Sequence, residues 1–388
     1  MAHILTLNSG SSSIKFAVYA AGAPPVEQLR GQVEGLGETP GITLKAQGRT
    51  VLERALSPDE GADHAAALTT ILSALDEARP DTQITAIGHR VVHGGPDLSA
   101  PIVLDDARIT TLEKLIPLAP LHQPANLAGI QAARAAFPRA VQVACFDTAF
   151  HRAHPWVADT YALPHEYYDE GIRRYGFHGL SYEYVSGKLA EIAPDRARGR
   201  VIIAHLGNGA SMCAIRDGHS IGSSMGFTAL DGLPMGTRCG QLDPGVVLYL
   251  MAEKGMSADQ IETLLYRQSG LKGLSGLTHD MRALEQADTP RARGAIEYFV
   301  SRVRREIGGQ AALLSGVDAL VFCGGIGENA TSVRASVCLG LDFLGIRINP
   351  ARNAAGEQEI SAADAATKVF VIRTDEEQMI ARHTAALL

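Results

Sequence analysis

Several kinds of segment are missing from this chain of 388 residues. No apolar run approaches the roughly 20 residues that span a bilayer, so no transmembrane helix and no membrane partner are expected. No Lys/Arg cluster is present and the formal charge is −7, which argues against nucleic acid as a partner. The five cysteines, Cys145, Cys213, Cys239, Cys323 and Cys338, are scattered, odd in number and without metal-ligand spacing. Buried free thiols in a reducing compartment follow. Low-complexity segments and heptads are absent too. The chain enters a strand almost at its first residue, leaving no room for a signal peptide, and a cytoplasmic protein is expected.

The apolar fraction of 46% and charged fraction of 20% are those of a globular protein. The length favours two or three domains, each with its own core. The chain is organised around residues 201–211, where the apolar run Val201-Ile202-Ile203-Ala204-His205-Leu206 reads as a buried strand. It breaks at Gly207-Asn208-Gly209, a tip whose glycines can take positive φ and let a ligand approach the backbone. Met212-Cys213-Ala214-Ile215 returns. The same design opens the chain: a strand over 4–7, a tip at Asn8-Ser9-Gly10-Ser11-Ser12-Ser13, and a return over 14–19 that carries Lys15. Setting Leu7 against Leu206 aligns Gly10 with Gly209 and Ser12 with Ser211. Two like hairpins half a chain apart point to duplicated domains. Hydroxyls, backbone N–H groups and a lysine suit phosphate oxygens.

The spacing predicts a glycine-rich meander over 31–56, a helix capped by Asp63 through 78, and a short strand at 84–87. Helices are expected near 108–115 and 124–136, and a strand over 141–146 ends on Asp147. A second half begins near His151, with Ser181 capping a helix to about 192. Residues 220–243 read as a long functional loop and 270–278 as a glycine-rich loop. Helices are expected at 244–252, 257–267 and 290–314, the last long one followed by a strand at 319–323. A helix begins just after Gly324-Gly325-Ile326-Gly327-Glu328-Asn329, and the chain closes with a strand at 369–372 and a helix from 376 that packs on the first domain.

Backbone N–H groups at Gly324–Asn329 favour an anion such as a nucleotide phosphate, although an ordinary strand-to-helix turn explains the same residues. The glycine spacing matches neither the dinucleotide fingerprint nor the P-loop. Arg90 and Arg238 stand in loops of glycine and small residues, and a guanidinium suits carboxylate or phosphate; solvated surface arginines are the plain alternative. His178, between Phe177 and Gly179, can donate to the same anion or be structural. Asp147 stands where α/β sheets place working residues, or it caps. His122, after Leu121, decides nothing alone.

Jointly these segments are specific. Asn8-Ser9-Gly10-Ser11-Ser12-Ser13-Ile14-Lys15-Phe16, Gly88-His89-Arg90-Val91-Val92-His93-Gly94-Gly95, Phe146-Asp147-Thr148-Ala149-Phe150-His151, Arg174-Tyr175-Gly176-Phe177-His178-Gly179, His205-Leu206-Gly207-Asn208-Gly209-Ala210-Ser211, Met235-Gly236-Thr237-Arg238-Cys239-Gly240 and Gly325-Ile326-Gly327-Glu328-Asn329 occur in order along the chain. In these segments the chain resembles the acetate kinase family. The resemblance implies an α/β fold of two duplicated actin-like (ribonuclease H-like) domains, residues 1–149 with 375–388 and residues 150–374, with a catalytic cleft between them that closes on its ligands. It implies reversible phosphoryl transfer between ATP and acetate, giving acetyl phosphate and ADP, with Mg²⁺ (or Mn²⁺) as cofactor and a homodimer as the assembly.

By match to the family's motifs, Asn8 and Glu376 hold the metal. Ser12, Lys15, His205, Leu206, Gly207, Asn208, Gly209, Asp280, Met281, Arg282, Gly325, Ile326, Gly327, Glu328 and Asn329 hold the nucleotide. Arg90, Val92, Leu121, His122, Phe177 and Ala229 meet the acyl substrate, and Asp147, His178 and Arg238 are catalytic. A carboxylate acceptor, with a pKa of about 4, carries no proton near neutrality and needs no general base. Asp147 is therefore read as organising Mg²⁺ or an arginine. Three departures stand out: Ala229 where the family commonly has proline, Gln241 where it has aspartate, and Gly222-Ser223-Ser224 where Asp-Thr-Ser is usual. The first bears on acyl-chain preference and keeps propionate kinase as the near rival. A non-catalytic nucleotide switch on the same fold is the distant one, which needs no such clamp of charges.

Overall fold

The protein is described by a computed structural model covering residues 2–10, 12–79 and 82–388. It divides into two compact units, Met1–Phe150 with Asp375–Leu388, and His151–Thr374. The first is built on an eight-stranded sheet of β1 (Ala2–Ser9), β2 (Ser13–Ala20), β3 (Val26–Glu34), β4 (Gly41–Ala46), β5 (Arg49–Ala55), β6 (Gln83–Val91), β7 (Ile102–Val103) and β8 (Val141–Phe146). Their order is β5-β4-β3-β2-β1-β6-β8-β7. The second holds a five-stranded sheet of β9 (Arg200–Leu206), β10 (Ala210–Arg216), β11 (His219–Ser223), β12 (Ala319–Cys323) and β13 (Lys368–Val371), in the order β11-β10-β9-β12-β13.

The same five-strand plan underlies both sheets. In the first, β3-β2-β1 is an antiparallel meander and β6 and β8 continue it in parallel. In the second, β11-β10-β9 is the meander and β12 and β13 are the parallel strands. Parallel strands need crossover helices that cover the faces, so their sequences are continuous apolar runs. Val201, Ile202, Ile203, Ala204 and Leu206 are all buried, as are Ala319 to Cys323. In the first unit, the helix His64–Ala78 buries Ala67, Leu68, Ile71 and Leu75 against β1 to β4, with Asp63 accepting from two backbone N–H groups at its start. The final helix, Glu376–Ala385, lies on β1 and β6, close enough that a Cβ on Gly88 would meet Thr384 Oγ1 at 2.3 Å.

Five expectations need correction. The segment 220–243 is not all loop, since its first residues belong to β11, His219–Ser223. The segment 270–278 is not all loop: Gly270–Ser275 is a short helix ended by Gly276 in the left-handed region. The helix expected after Asn329 starts at Gly324 itself and runs Gly324–Asn329, followed by a second, Thr331–Cys338. Ser181 does not cap the helix Gly179–Ile192; His178 is the cap residue and Ser181 lies buried inside the first turn. Counted from the strand ends, Ser9 corresponds to Leu206, so Gly10 and Gly209 are not equivalent, and neither has positive φ. Among the described residues no helix is long and apolar enough to cross a membrane. None of the five cysteines forms a disulfide; Cys239 is half-buried and the others are buried.

Candidate active site

In the first unit, β1, β6 and β8 are neighbours running the same way. Their C-terminal ends therefore deliver Asn8, Arg90 and Asp147 to one edge, where open α/β sheets bind ligands. Arg90 Nε donates to Asp147 Oδ1 at 2.9 Å and Nη2 to Oδ2 at 2.6 Å, a bidentate fork. Its Nη1 donates to Asn8 Oδ1 at 3.1 Å. Glu376, the first residue of the final helix, brings Oε2 to 3.7 Å from Arg90 Nε and accepts from Asn8 Nδ2 at 3.4 Å. The Asp147 side chain is 1% exposed and that of Arg90 21%. Burial works against the Arg90 charge, but the carboxylates of Asp147 and Glu376 outweigh it and hold the guanidinium charged.

Val92 is buried, and its N–H donates to Asn126 Oδ1 while Asn126 Nδ2 donates to Ser9 O. Asn126 thus ties the β1 tip to the loop after Arg90. Leu121 and His122 sit half-buried just before the helix Gln123–Ala136. Lys15 is exposed opposite Asn8 in the β1–β2 register, and its charge acts on Glu377. Ser12 is exposed, and Ser11 lies outside the described residues.

In the second unit, the β9–β10 tip is the centre. His178 occupies the left-handed region, φ 58°, an uncommon conformation for a non-glycine residue. Its Nδ1 is 2.8 Å from Ser211 Oγ, which also meets the Tyr182 hydroxyl. Its ring stacks on His205 with centroids 4.3 Å apart. His205 Nδ1 is 2.8 Å from Ser181 Oγ, and Ser181 in turn receives Thr374 Oγ1–H at 2.7 Å. Arg238 Nη1 donates to Ala229 O at 2.8 Å, and the Arg238 loop is docked on the tip by Gly236 N–H donating to Asn208 O. A Cβ on Gly209 would lie 3.3 Å from His178 Nε2 and 4.0 Å from Arg238 Nη1. The tip glycine eases this close approach and does not serve a positive φ. Phe177 is buried and Ala229 half-buried beside this cluster's backbone.

A cavity of about 700 Å³ opens beyond the tip, within the size range of small-ligand sites. Gly207, Asn208, Asp280, Met281, Arg282, Gly325, Ile326 and Asn329 line it, with His279, Glu285 and Ala330. His205, Leu206, Gly209, Gly327 and Glu328 do not line it. Glu328 instead turns its carboxylate to the backbone, accepting from Gly324 N–H and Thr374 N–H. Asp280 caps the helix Met281–Gln286 and pairs with Arg282, which lowers its carboxyl pKa.

The profile of the acetokinase family matches residues 3–382. An acetate kinase from Methylocella silvestris is 59% identical over 99% of this chain and 98% of its own. The chain belongs to the acetokinase family. It is thereby an ATP-using kinase, a phosphotransferase. Among solved structures, a propionate kinase from Francisella tularensis subsp. tularensis superposes with a TM-score of 0.93 and an acetate kinase from Porphyromonas gingivalis with 0.88, each at 38% identity over all of both chains.

Two departures from the family's usual residues have structural partners here. Gln241 Oε1 accepts from Arg302 Nη2 at 2.6 Å, a neutral acceptor where aspartate would form an ion pair. Ser223 Oγ, in place of the usual threonine hydroxyl, accepts from Met225 N–H at 3.3 Å within the loop. Sequence reasoning missed two residues, Asn126 and Arg334, and read Ser211 only as a tip hydroxyl for phosphate. Asn126 and Ser211 are buried polar groups that tie site segments together. Arg334 is fully buried and donates to Gly327 O, Glu328 O and Asn353, holding the cavity-lining helix Gly324–Asn329 by its carbonyl end. A polar residue on the apolar face of a helix was the available signal for Asn126 and Arg334.

Proposed function

We propose that this protein is an acetate kinase that transfers the terminal phosphoryl group of ATP directly to acetate, and reversibly back from acetyl phosphate to ADP. The observation that carries the reading is the state of Asp147. Both of its oxygens are engaged by Arg90, so it is committed as a clamp for a guanidinium. A hydroxyl acceptor would need a base to take its proton; a carboxylate acceptor does not. An anion clamp without a base fits a carboxylic acid as acceptor.

Arg90, held in one orientation by Asp147 and Asn8, is read as binding the carboxylate or the acyl phosphate. His178 and Arg238 are read as neutralising charge on the equatorial oxygens, where most of the work of phosphoryl transfer lies. We read the chain as Tyr182 O–H donating to Ser211 Oγ and Ser211 O–H donating to His178 Nδ1, which leaves the imidazole proton on Nε2 as a donor. The nucleotide takes the cavity lined by Asp280, Met281, Arg282 and Gly325. Asn8 and Glu376 would hold Mg²⁺ through hard side-chain oxygens, the Asn8 Oδ1 that here accepts from Arg90 Nη1 and the Glu376 Oε2 that here accepts from Asn8 Nδ2. Mg²⁺ is held by one or two such hard oxygens plus phosphates and water. When bound, Mg²⁺ neutralises and orients the phosphate oxygens.

The homodimer is supported by the helix Pro244–Ala252, which buries none of its residues and leaves Val246, Leu248, Tyr249 and Met251 exposed. A cytoplasmic setting accords with five thiols and no disulfide among them. Propionate is the second acceptor to consider, because Ala229 takes less room than the family's proline. A hydroxamate trap for acyl phosphate, run with ATP and formate, acetate, propionate or butyrate, tests the reading. Acetate should give the highest kcat/KM, with propionate behind it by about 10-fold, since one methylene is worth roughly 1–3 kcal/mol. No trapped hydroxamate with any acid would refute it.

A further inference from the structure

His178 is held in the left-handed region, φ 58°, and His151, His154 and Ser220 behind it lie outside every role assigned above. Behind the turn Gly176-Phe177-His178 sits His151, fully buried at the start of the second unit. Its Nε2 lies 3.0 Å from Phe177 O. Gly176, at φ 71°, runs so close over the imidazole that a Cβ would meet its ring carbons at 2.7 Å. The ring also packs edge-on against Tyr182, centroids 5.6 Å apart, and Tyr182 leads through Ser211 to His178 Nδ1. His151 therefore touches the His178 turn from two sides, through the carbonyl just before it and through the hydroxyl chain behind its ring.

The orientation of His151 is itself fixed. Phe177 O can only accept, so Nε2 carries the proton and Nδ1 offers a lone pair to Ser220 Oγ–H at 2.8 Å. The Ser220 oxygen then accepts from His154 Nε2–H at 2.7 Å and from Cys213 Sγ–H at 3.1 Å. Each donor in this group has an acceptor. Its one bare buried atom is His154 Nδ1, left as a lone pair, which costs less than a buried unpaired N–H.

We propose that His151, oriented by Ser220 and His154, is the positioning residue that aims His178 Nε2 into the active site. This inference rests on the reading of His178 as a donor to the transferring phosphoryl group. His151→Leu keeps the bulk and removes the donor; His151→Gln returns an amide N–H in the place of Nε2–H. His151→Leu should lower kcat by about 10- to 100-fold, the cost of a misplaced catalytic group, with the KM for ATP within about twofold of wild type. His151→Gln should recover most of that loss. The deciding comparison is a double-mutant cycle with His178→Ala. A residue that acts through His178 has nothing left to lose there, so adding His151→Leu should change kcat by less than about twofold. Should His151→Leu not fold, Ser220→Ala serves in its place, with a smaller loss in wild type and none in the His178→Ala background. Equal losses in both backgrounds, or equal losses for Gln and Leu, would overturn the proposal. Wild-type kcat in His178→Ala itself would instead strike at the reading of the active site.

Discussion

Replacing Asp147 by asparagine tests the clamp most sharply, because it removes one charge and changes almost no volume. In Asp147→Asn the amide oxygen would still accept from Arg90 Nε, but the amide N–H would face the Nη2 that now donates to Asp147 Oδ2 at 2.6 Å. Two donors would oppose each other in a site where the Asp147 side chain is 1% exposed. Breaking a buried ion pair costs about 3–5 kcal/mol. Arg90 keeps Glu376 at 3.7 Å and Asn8 at 3.1 Å, which places the loss at the lower end. About 3 kcal/mol corresponds to a fall in kcat/KM of roughly 10², with the acetate KM raised because Arg90 is no longer aimed. The assay is kcat/KM for acetate from pH 5 to 9, with Mg²⁺ varied. Activity should fall evenly across that range, with every ionisation of the wild-type profile retained and part of the rate recovered at high Mg²⁺. Loss of the acidic limb in the variant would show that Asp147 titrates as a base, and the clamp argument would fail.

Arg238→Ala should cut kcat by roughly 10³–10⁵, as loss of an arginine finger does, with nucleotide Kd almost unchanged; a variant retaining a tenth of wild-type kcat removes Arg238 from the mechanism. Arg334→Met should leave the carbonyls of Gly327 and Glu328 without donors. Urea unfolding should show a loss of about 3 kcal/mol and kinetics an ATP KM raised about tenfold, whereas an unchanged ATP KM would separate Arg334 from the nucleotide cavity. Burial lowers His89 and His154 to about 4, and lowers His151 well below its ordinary value. Between about 6.5 and 4 the unfolded chain binds these protons and the folded one does not. Stability is therefore complete above pH 6.5 and falls as the pH drops, by about 1.4 kcal/mol per pH unit for each histidine. Thermal melts from pH 7 to 4.5 should show this slope, and a flat profile would contradict it.

Much of this was legible in the sequence where local pattern and tertiary packing agree. Asp63, Ser257 and the stretch Pro290–Leu314 announce helices by cap and period, and the structure places them there. The glycine-rich Gly324–Asn329 has poor helix propensity, and tertiary contacts override it: Glu328 caps its first N–H and Arg334 holds its last carbonyls. Ser181 has the composition of a cap, but His205 and Thr374 take its hydroxyl instead. The pairing of Arg90 with Asp147 spans 57 residues and depends on β6 and β8 being sheet neighbours, which no local spacing encodes. The hairpin tips misled in register, since matching glycines does not match strand ends.

The central claim is that the phosphoryl group passes straight to the carboxylate, with the protein supplying charge and position and no covalent bond. The most direct test is the stereochemistry at phosphorus, using ATP made chiral at its terminal phosphate by oxygen isotopes and analysing the acyl phosphate formed from acetate. One in-line displacement inverts the configuration, and inversion is the result expected here. Retention would mean two displacements through a phosphorylated residue of the enzyme, and would contradict the account.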